Sequence, residues 1–156
     1  MSTILSWSEA ARLAEDCRKR AGIVVTSNGT FDLLHVGHVS YLAAARSLGD
    51  LLLVGVNSDR SVKAYKGPER PLNPENARAQ VLGALRCVDG VCIFDEDTPV
   101  EWLKVVKPDI HVKGGDWDPA KIPEAKVLEA WGGRIHIIPT REGYSTTRII
   151  ERSRGK

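Results

Sequence analysis

Five short apolar runs, each followed by turn residues and then by a helix-like pattern, leave this chain few ways to fold. They occupy residues 23–27, 51–56, 91–94, 110–113 and 134–138. The second is continuously apolar between Gly49-Asp50 and Asn57, and such runs belong to parallel strands covered on both faces. Apolar residues recur at helical spacing between the runs: Tyr41, Leu42, Ala45 and Leu48 in 36–48, and Ala77, Val81, Ala84 and Leu85 in 74–85. Shorter helices are expected over 98–106, 124–131 and 145–152. Repeated β-α-β units cross over right-handedly. The fold expected is therefore α/β, a Rossmann-like doubly wound five-stranded parallel sheet with helices on both faces. Residues 58–74 are the least regular, a short helix through Val62 and Tyr65 and then Gly67-Pro68, Pro71 and Pro74, with Lys63, Lys66 and Arg70 exposed. Ahead of the first strand, Ser6-Trp7-Ser8-Glu9 has the form of a capping box, and Trp7, Ala10, Ala14 and Cys17 continue at helical spacing up to Gly22. We divide the chain into an N-terminal helix over 1–22, an interface or a lid, and one domain over 23–156.

In a doubly wound sheet, ligands lie beyond the carboxyl ends of the strands. The loops there carry no G-x-G-x-x-G, no G-x-x-x-x-G-K-[ST] and no G-x-S-x-G, which removes a dinucleotide fingerprint, a P-loop and a nucleophile elbow. The first loop instead holds His35 and His38, three apart at a helix start and so on one face, with Gly37 between them leaving room for a phosphate chain near backbone. The last holds Gly143-Tyr144-Ser145-Thr146-Thr147, hydroxyls and free amides at another helix start. Lys113-Gly114-Gly115-Asp116-Trp117 lies between, a cation, a flexible turn, a carboxylate and an aromatic. Taken singly, each reads as a cap, a strand end or a turn. Taken together, at one edge of one sheet, they point to a polyphosphate substrate and to phosphoryl or nucleotidyl transfer, which needs positioning and charge stabilisation rather than a protein nucleophile.

The rest of the chain narrows the partners. A net charge of +2 with Lys and Arg spread along the sequence does not suit nucleic acid and fits small anionic ligands. No run is long enough to span a membrane and the first residues lack a signal-peptide profile, so a cytoplasmic protein is expected. Cys17, Cys87 and Cys92 have no metal-ligand spacing and read as reduced structural thiols. Asp95-Glu96-Asp97-Thr98-Pro99 reads as a helix start, and no metal is assigned to it. His111 and His136 fall inside apolar strand patterns, in the core or at a sheet edge.

Asn28-Gly29-Thr30-Phe31-Asp32-Leu33-Leu34-His35-Val36-Gly37-His38 resembles the signature of the cytidylyltransferase-like nucleotidyltransferases, which carry H-x-G-H after the first strand. The resemblance continues through Leu48-Gly49-Asp50, Val56-Asn57-Ser58-Asp59, Lys66-Gly67-Pro68, Arg70-Pro71, Val88-Asp89, Asp97-Thr98-Pro99, Pro108-Asp109, Lys113-Gly114-Gly115-Asp116 and Ser145-Thr146-Thr147. It is most similar to the D-glycero-D-manno-heptose 1-phosphate adenylyltransferases, the transferase half of a bifunctional enzyme that also carries a sugar kinase. That resemblance implies transfer of AMP from ATP to a heptose 1-phosphate, with Mg²⁺ accompanying the nucleotide, giving ADP-heptose, a lipopolysaccharide precursor. It also implies a separate sugar kinase and a homodimer or larger homo-oligomer. It makes His35, His38 and Lys63 the catalytic residues. Thr30, Phe31, Gly37, Lys113, Gly114, Asp116, Ser145, Thr146 and Thr147 would hold the nucleotide, and Asp32, Asn57 and Asp59 the acceptor. Two positions depart. Arg141, in Thr140-Arg141-Glu142-Gly143, is displaced by one from the arginine of the related glycerol 3-phosphate and phosphocholine enzymes, and Glu124 stands where the heptose enzymes tend to have glycine. The alternative is a cytidylyltransferase using CTP and a small alcohol phosphate such as glycerol 3-phosphate or phosphoethanolamine, because Gly114-Gly115-Asp116-Trp117 also resembles that branch. A nucleotide-binding module without turnover is a third reading.

Overall fold

The computed structural model describes residues 4–140 and 142–155. Five strands, β1 (Val24–Gly29), β2 (Leu51–Asn57), β3 (Gly90–Phe94), β4 (Ile110–Gly114) and β5 (Arg134–Ile138), form one sheet in the order β3-β2-β1-β4-β5. Every neighbouring pair is parallel. The helices are α1 (Trp7–Lys19), α2 (Val36–Arg46), α3 (Asp59–Lys66), α4 (Glu75–Gly83), α5 (Val100–Val106), α6 (Pro123–Glu129) and α7 (Thr146–Ser153). The expected α/β class and doubly wound sheet are both present.

Alternation along the buried strands divides the core in two. On one face Val25, Leu52, Val54, Val56, Val91, Ile110 and Val112 pack against Leu42 and Ala45 of α2 and Ala79 and Leu82 of α4. On the other, Val24, Leu53, Cys92 and Phe94 pack against Ala10, Ala14 and Cys17 of α1 and Trp102, Leu103 and Val106 of α5. Helix α1 is thus part of the second layer. Its capping box forms as expected, Trp7 Nε1 donates to the Ile93 carbonyl at 3.0 Å, and Leu5 N donates to the Val91 carbonyl at 2.8 Å. Among the described residues no helix is long and apolar enough to cross a membrane.

Three aspartates set the register at the end of the sheet away from the site. Asp50 Oδ2 accepts from Ile23 N at 2.8 Å, Asp89 Oδ2 from Leu52 N at 2.8 Å, and Asp109 Oδ2 from Val24 N at 2.7 Å. Each carboxylate caps the first amides of a neighbouring strand, which a parallel sheet otherwise leaves unpaired. The Gly49-Asp50, Val88-Asp89 and Pro108-Asp109 positions of the sequence resemblance therefore serve the scaffold. Of the two strand histidines, His111 lies on the inner strand β4, fully buried, and His136 is half-buried on the edge strand β5.

Candidate active site

The strand order reverses between β1 and β4, since the chain winds outward through β2 and β3 and then returns to the other side of β1. At the carboxyl ends of those two strands lies a cavity of about 570 Å³. Its walls come from the loop after β1, the end of α3 with the segment after it, the turn after β4, and the start of α7. This is where a doubly wound sheet holds its ligand.

His35 and His38 meet in this cavity as one stacked pair, ring centroids 3.9 Å apart and planes 25° from parallel. His35 is the N-cap of α2, and its Nδ1 accepts from Gly37 N at 3.1 Å. When neutral it therefore carries its proton on Nε2. Gly37 has a reason beyond access for a phosphate: a Cβ there would lie 2.9 Å from the His35 ring and 3.3 Å from Tyr144 Cβ. The edge of Phe31, which has a left-handed φ of 49°, packs against His38 with centroids 5.4 Å apart. Burial, followed by the His35 ring and the Lys66 charge, lowers the His38 imidazole to about 4, with the Leu33 carbonyl acting in the other direction. Burial lowers His35 as well. Both rings are therefore neutral near pH 7 and offer N–H donors rather than fixed cations.

Positive charge enters from the segment after β2. Lys66 and Arg70 line the cavity, whereas Lys63, expected there from the sequence, is exposed and outside its lining. Burial lowers the Lys66 ammonium, Arg70 adds to the effect, and Asp32 opposes it. Arg70 is held by Asp32, whose Oδ2 accepts from Arg70 Nε at 2.9 Å. Asp32 also accepts from Leu72 N at 2.9 Å and Asn73 N at 2.9 Å. Burial alone would raise its carboxyl, but these donors outweigh that and hold it below the usual range. Arg70 Nη2 is buried and makes no hydrogen bond with the described residues, so a residue on the cavity wall carries a guanidinium nitrogen without an acceptor. From the sequence alone Lys66 and Arg70 read as surface cations. The signal that could have found them was Lys66-Gly67-Pro68 followed by Arg70-Pro71, which folds the segment back over Asp32.

The other expected site residues divide between the cavity and its supports. Thr30, Phe31, Gly37, Gly114, Ser145, Thr146 and Thr147 all line it. Thr30 Oγ1 is bonded to the Tyr65 hydroxyl, Ser145 Oγ caps α7 by accepting from Arg148 N at 3.1 Å, and Thr146 Oγ1 donates to the Leu33 carbonyl at 3.1 Å. Asp32 also lines it, but as the clamp on Arg70 and residues 72–73. Lys113, Asp116, Asn57 and Asp59 lie outside the lining. Lys113 Nζ bonds Asn28 Oδ1 at 3.1 Å and Glu124 Oε1 at 2.9 Å. Asn57 Nδ2 donates to Ser61 Oγ at 3.1 Å. Asp59 pairs with Arg78, whose buried guanidinium also donates to the carbonyls of Thr30 at 2.7 Å and Asn73 at 2.9 Å. Arg78, with no motif to mark it, ties the first loop to α3 and α4. Arg141 lies outside the described residues. Tyr41, on the cavity wall, is pushed up to about 12 by burial; it stays protonated, donates to the Val112 carbonyl at 3.0 Å and lies 2.7 Å from Ser27 Oγ.

The residues present do not fit a resident metal. Among the described residues there is no group of three or more His, Cys, Asp or Glu that could hold one, and Asp32, the one carboxylate among the described lining residues, is engaged by four internal hydrogen bonds.

The cytidylyltransferase-like family model matches residues 27–152. The chain belongs to this family. Over 135 residues it is 54% identical to the bifunctional protein HldE of Syntrophotalea carbinolica, an alignment that takes in 86% of this chain and 28% of that protein. To the protein of the same name from Koribacter versatilis it is 46% identical over 149 residues, 96% of this chain and 31% of that one. The chain thus spans about 30% of the length of these relatives. The crystal structure of the lipopolysaccharide core biosynthesis protein from Thermoplasma volcanium GSS1 superposes with a TM-score of 0.63 and 32% identity, over 80% of this chain and 99% of that one. The stacked histidines after β1 and the start of α7 both line the cavity at the strand reversal, within the stretch that the family model matches.

Proposed function

We propose that this domain transfers AMP from MgATP to the anomeric phosphate of D-glycero-D-manno-heptose 1-phosphate, forming ADP-heptose and pyrophosphate. The observation that carries the reading is the cavity at the strand reversal, where the neutral His35–His38 pair and the cations Lys66 and Arg70 converge, with Arg70 Nη2 lacking an acceptor. An oxygen of the sugar phosphate attacks the α-phosphorus of ATP. The new P–O bond forms as the bond from that phosphorus to the bridging oxygen breaks, and the electron pair leaves with pyrophosphate. No protein nucleophile is required. His35 and His38 donate to phosphate oxygens as charge moves onto the leaving group, Lys66 and Arg70 balance that charge, and the start of α7 holds the polyphosphate. The adenylyl specificity and the heptose rest on the Lys113-Gly114-Gly115-Asp116 resemblance and on the HldE relatives. The anomeric phosphate of that acceptor is the kind of group a sugar kinase installs.

Pyrophosphate release, measured with ATP and CTP each crossed with heptose 1-phosphate, glycerol 3-phosphate and phosphoethanolamine, tests the reading. Turnover is expected with ATP and heptose 1-phosphate. Turnover with CTP and not ATP would make the chain a cytidylyltransferase, and nucleotide binding without turnover of any acceptor would make it a binding module.

A further inference from the structure

A buried polar chain runs from the interior of the sheet to the cavity wall. Thr26 Oγ1 lies 2.8 Å from His111 Nδ1, and His111 Nε2 lies 3.2 Å from Asn28 Oδ1. The same oxygen accepts from Lys113 Nζ at 3.1 Å, and Lys113 in turn pairs with Glu124 at 2.9 Å. The side chains of Lys113 and Glu124 are only 19% and 6% exposed, and His111 is fully buried. A buried ion pair beside a buried imidazole is an expensive way to fill space, since apolar residues of similar volume are commonly as stable or more so. The arrangement does, however, leave one group unambiguous. An ammonium has no acceptor, so the Asn28 atom facing Lys113 is the oxygen, and the amide cannot be flipped. With both lone pairs of Oδ1 taken by His111 and Lys113, the amide NH₂ is what remains. Asn28 lines the cavity, and its Nδ2 makes no hydrogen bond with the described residues.

We propose that Asn28 contacts substrate, its Nδ2 donating to a phosphoryl oxygen in the cavity, and that Lys113, Glu124 and His111 are positioning residues that hold the amide in that orientation. The inference rests on the adenylyltransferase reading of the cavity and moves the role of Lys113 from direct nucleotide contact to the aim of a neighbouring amide. The phosphoryl oxygen belongs either to the nucleotide or to the acceptor, and the two are separable by experiment.

The decisive variant is Asn28→Asp. It keeps an acceptor for His111 and Lys113 and replaces the donor with a second oxygen facing the phosphate. Dissociation constants are read by calorimetry for a non-hydrolysable MgATP analogue and, separately, for heptose 1-phosphate, alongside kcat and KM. The expected result is about a 10- to 100-fold weakening for one of the two ligands, the scale of one hydrogen bond to a charged group, with the other ligand within about twofold. The double variant Lys113→Met with Glu124→Leu leaves no lone buried charge and is expected to weaken the same ligand by roughly threefold to tenfold. In wild-type protein, the side-chain amide ¹⁵N resonance of Asn28 is expected to shift with that ligand, a measurement that does not depend on the variants folding. Dissociation constants within twofold for both ligands in Asn28→Asp, a change confined to kcat, or an Asn28 amide that is unmoved by either ligand would overturn the proposal. Failure of the wild-type protein to turn over any nucleotide and acceptor would instead remove the adenylyltransferase reading, and the binding arms would still report on Asn28.

Discussion

Asp32→Asn distinguishes a carboxylate that binds substrate from one that builds the site. Its oxygens accept from Arg70 Nε at 2.9 Å, from Leu72 N at 3.0 and 2.9 Å, and from Asn73 N at 2.9 Å, and its side chain is 1% exposed. Asparagine would turn one of those oxygens into an NH₂ facing N–H donors and leave Arg70 without its counter-charge. Removing one partner of a buried ion pair costs about 3–5 kcal/mol. Arg70 retains some access to water, 15% of its side chain, which places the expected loss near the lower end, at about 3 kcal/mol. For a domain of this size that is a fall in Tm of roughly 6–12 °C. Thermal and urea unfolding of both proteins would measure it, and pH provides an internal check. The Asp32 carboxyl is held below its usual range in the folded protein, so its stabilisation is fully present above the unfolded value of about 3.9 and is lost as pH falls through the lower folded value. The gap between wild type and variant should therefore be constant at neutral pH and should close in acid. An Asp32→Asn protein as stable as wild type to within about 0.5 kcal/mol, but with a raised KM for the acceptor, would refute the clamp and restore the substrate contact implied by the family resemblance.

Four further outcomes are expected. Alanine at His38 should lower kcat about a hundredfold or more through lost transition-state charge stabilisation, and an unchanged kcat in a folded variant would remove His38 from the chemistry. An NMR titration of the free protein should place His38 near 4; the unfolded chain takes up this proton at about 6.5, so stability should fall as pH drops between those values, and a midpoint at 6.5 or above would refute the neutral pair. Gly37→Ala, whose Cβ would lie 2.9 Å from the His35 ring, should lower kcat more than tenfold with a small change in Tm; wild-type kcat would show that the ring placement is immaterial. The two lysines of α3 separate by position: Lys66→Ala should reduce kcat/KM about tenfold or more and Lys63→Ala less than about threefold, since Lys66 lines the cavity and Lys63 does not, and the reverse order would assign the charge to Lys63.

The sheet was legible because its strands are buried on both faces and so read as unbroken apolar runs between Gly, Asn and Asp, a signal that depends on no distant contact. His35 and His38 were legible for a similar reason, since three residues at a helix start fix a shared face whatever surrounds them. What stayed hidden is what depends on residues far apart in the chain. Lys66 and Arg70 look like surface cations until Asp32, more than thirty residues earlier, turns the segment over the cavity. Arg78 sits in a helix of mixed polarity and is buried only because Thr30, Asn73 and Asp59 surround its guanidinium. Lys113 reads as a strand end exposed to ligand, and only the fold brings Glu124 against it.

On the proposed adenylyltransferase reading, these hidden contacts let neutral imidazoles serve a polyanion. Two stacked rings lowered by burial cannot both hold a proton before the ligand arrives, because each added charge would be desolvated and beside the other. They are fixed donors, with His35 held to one tautomer by Gly37 N. The standing charge comes from Lys66 and Arg70, and Asp32 neutralises only part of it while fixing the loop that carries it. Were Asp32 free, it would repel phosphate; bound by the amides of Leu72 and Asn73, its charge is spread into backbone dipoles, and Arg70 Nη2 keeps no acceptor among the described residues. A charge that would oppose binding is thereby converted into the support of the group that favours it.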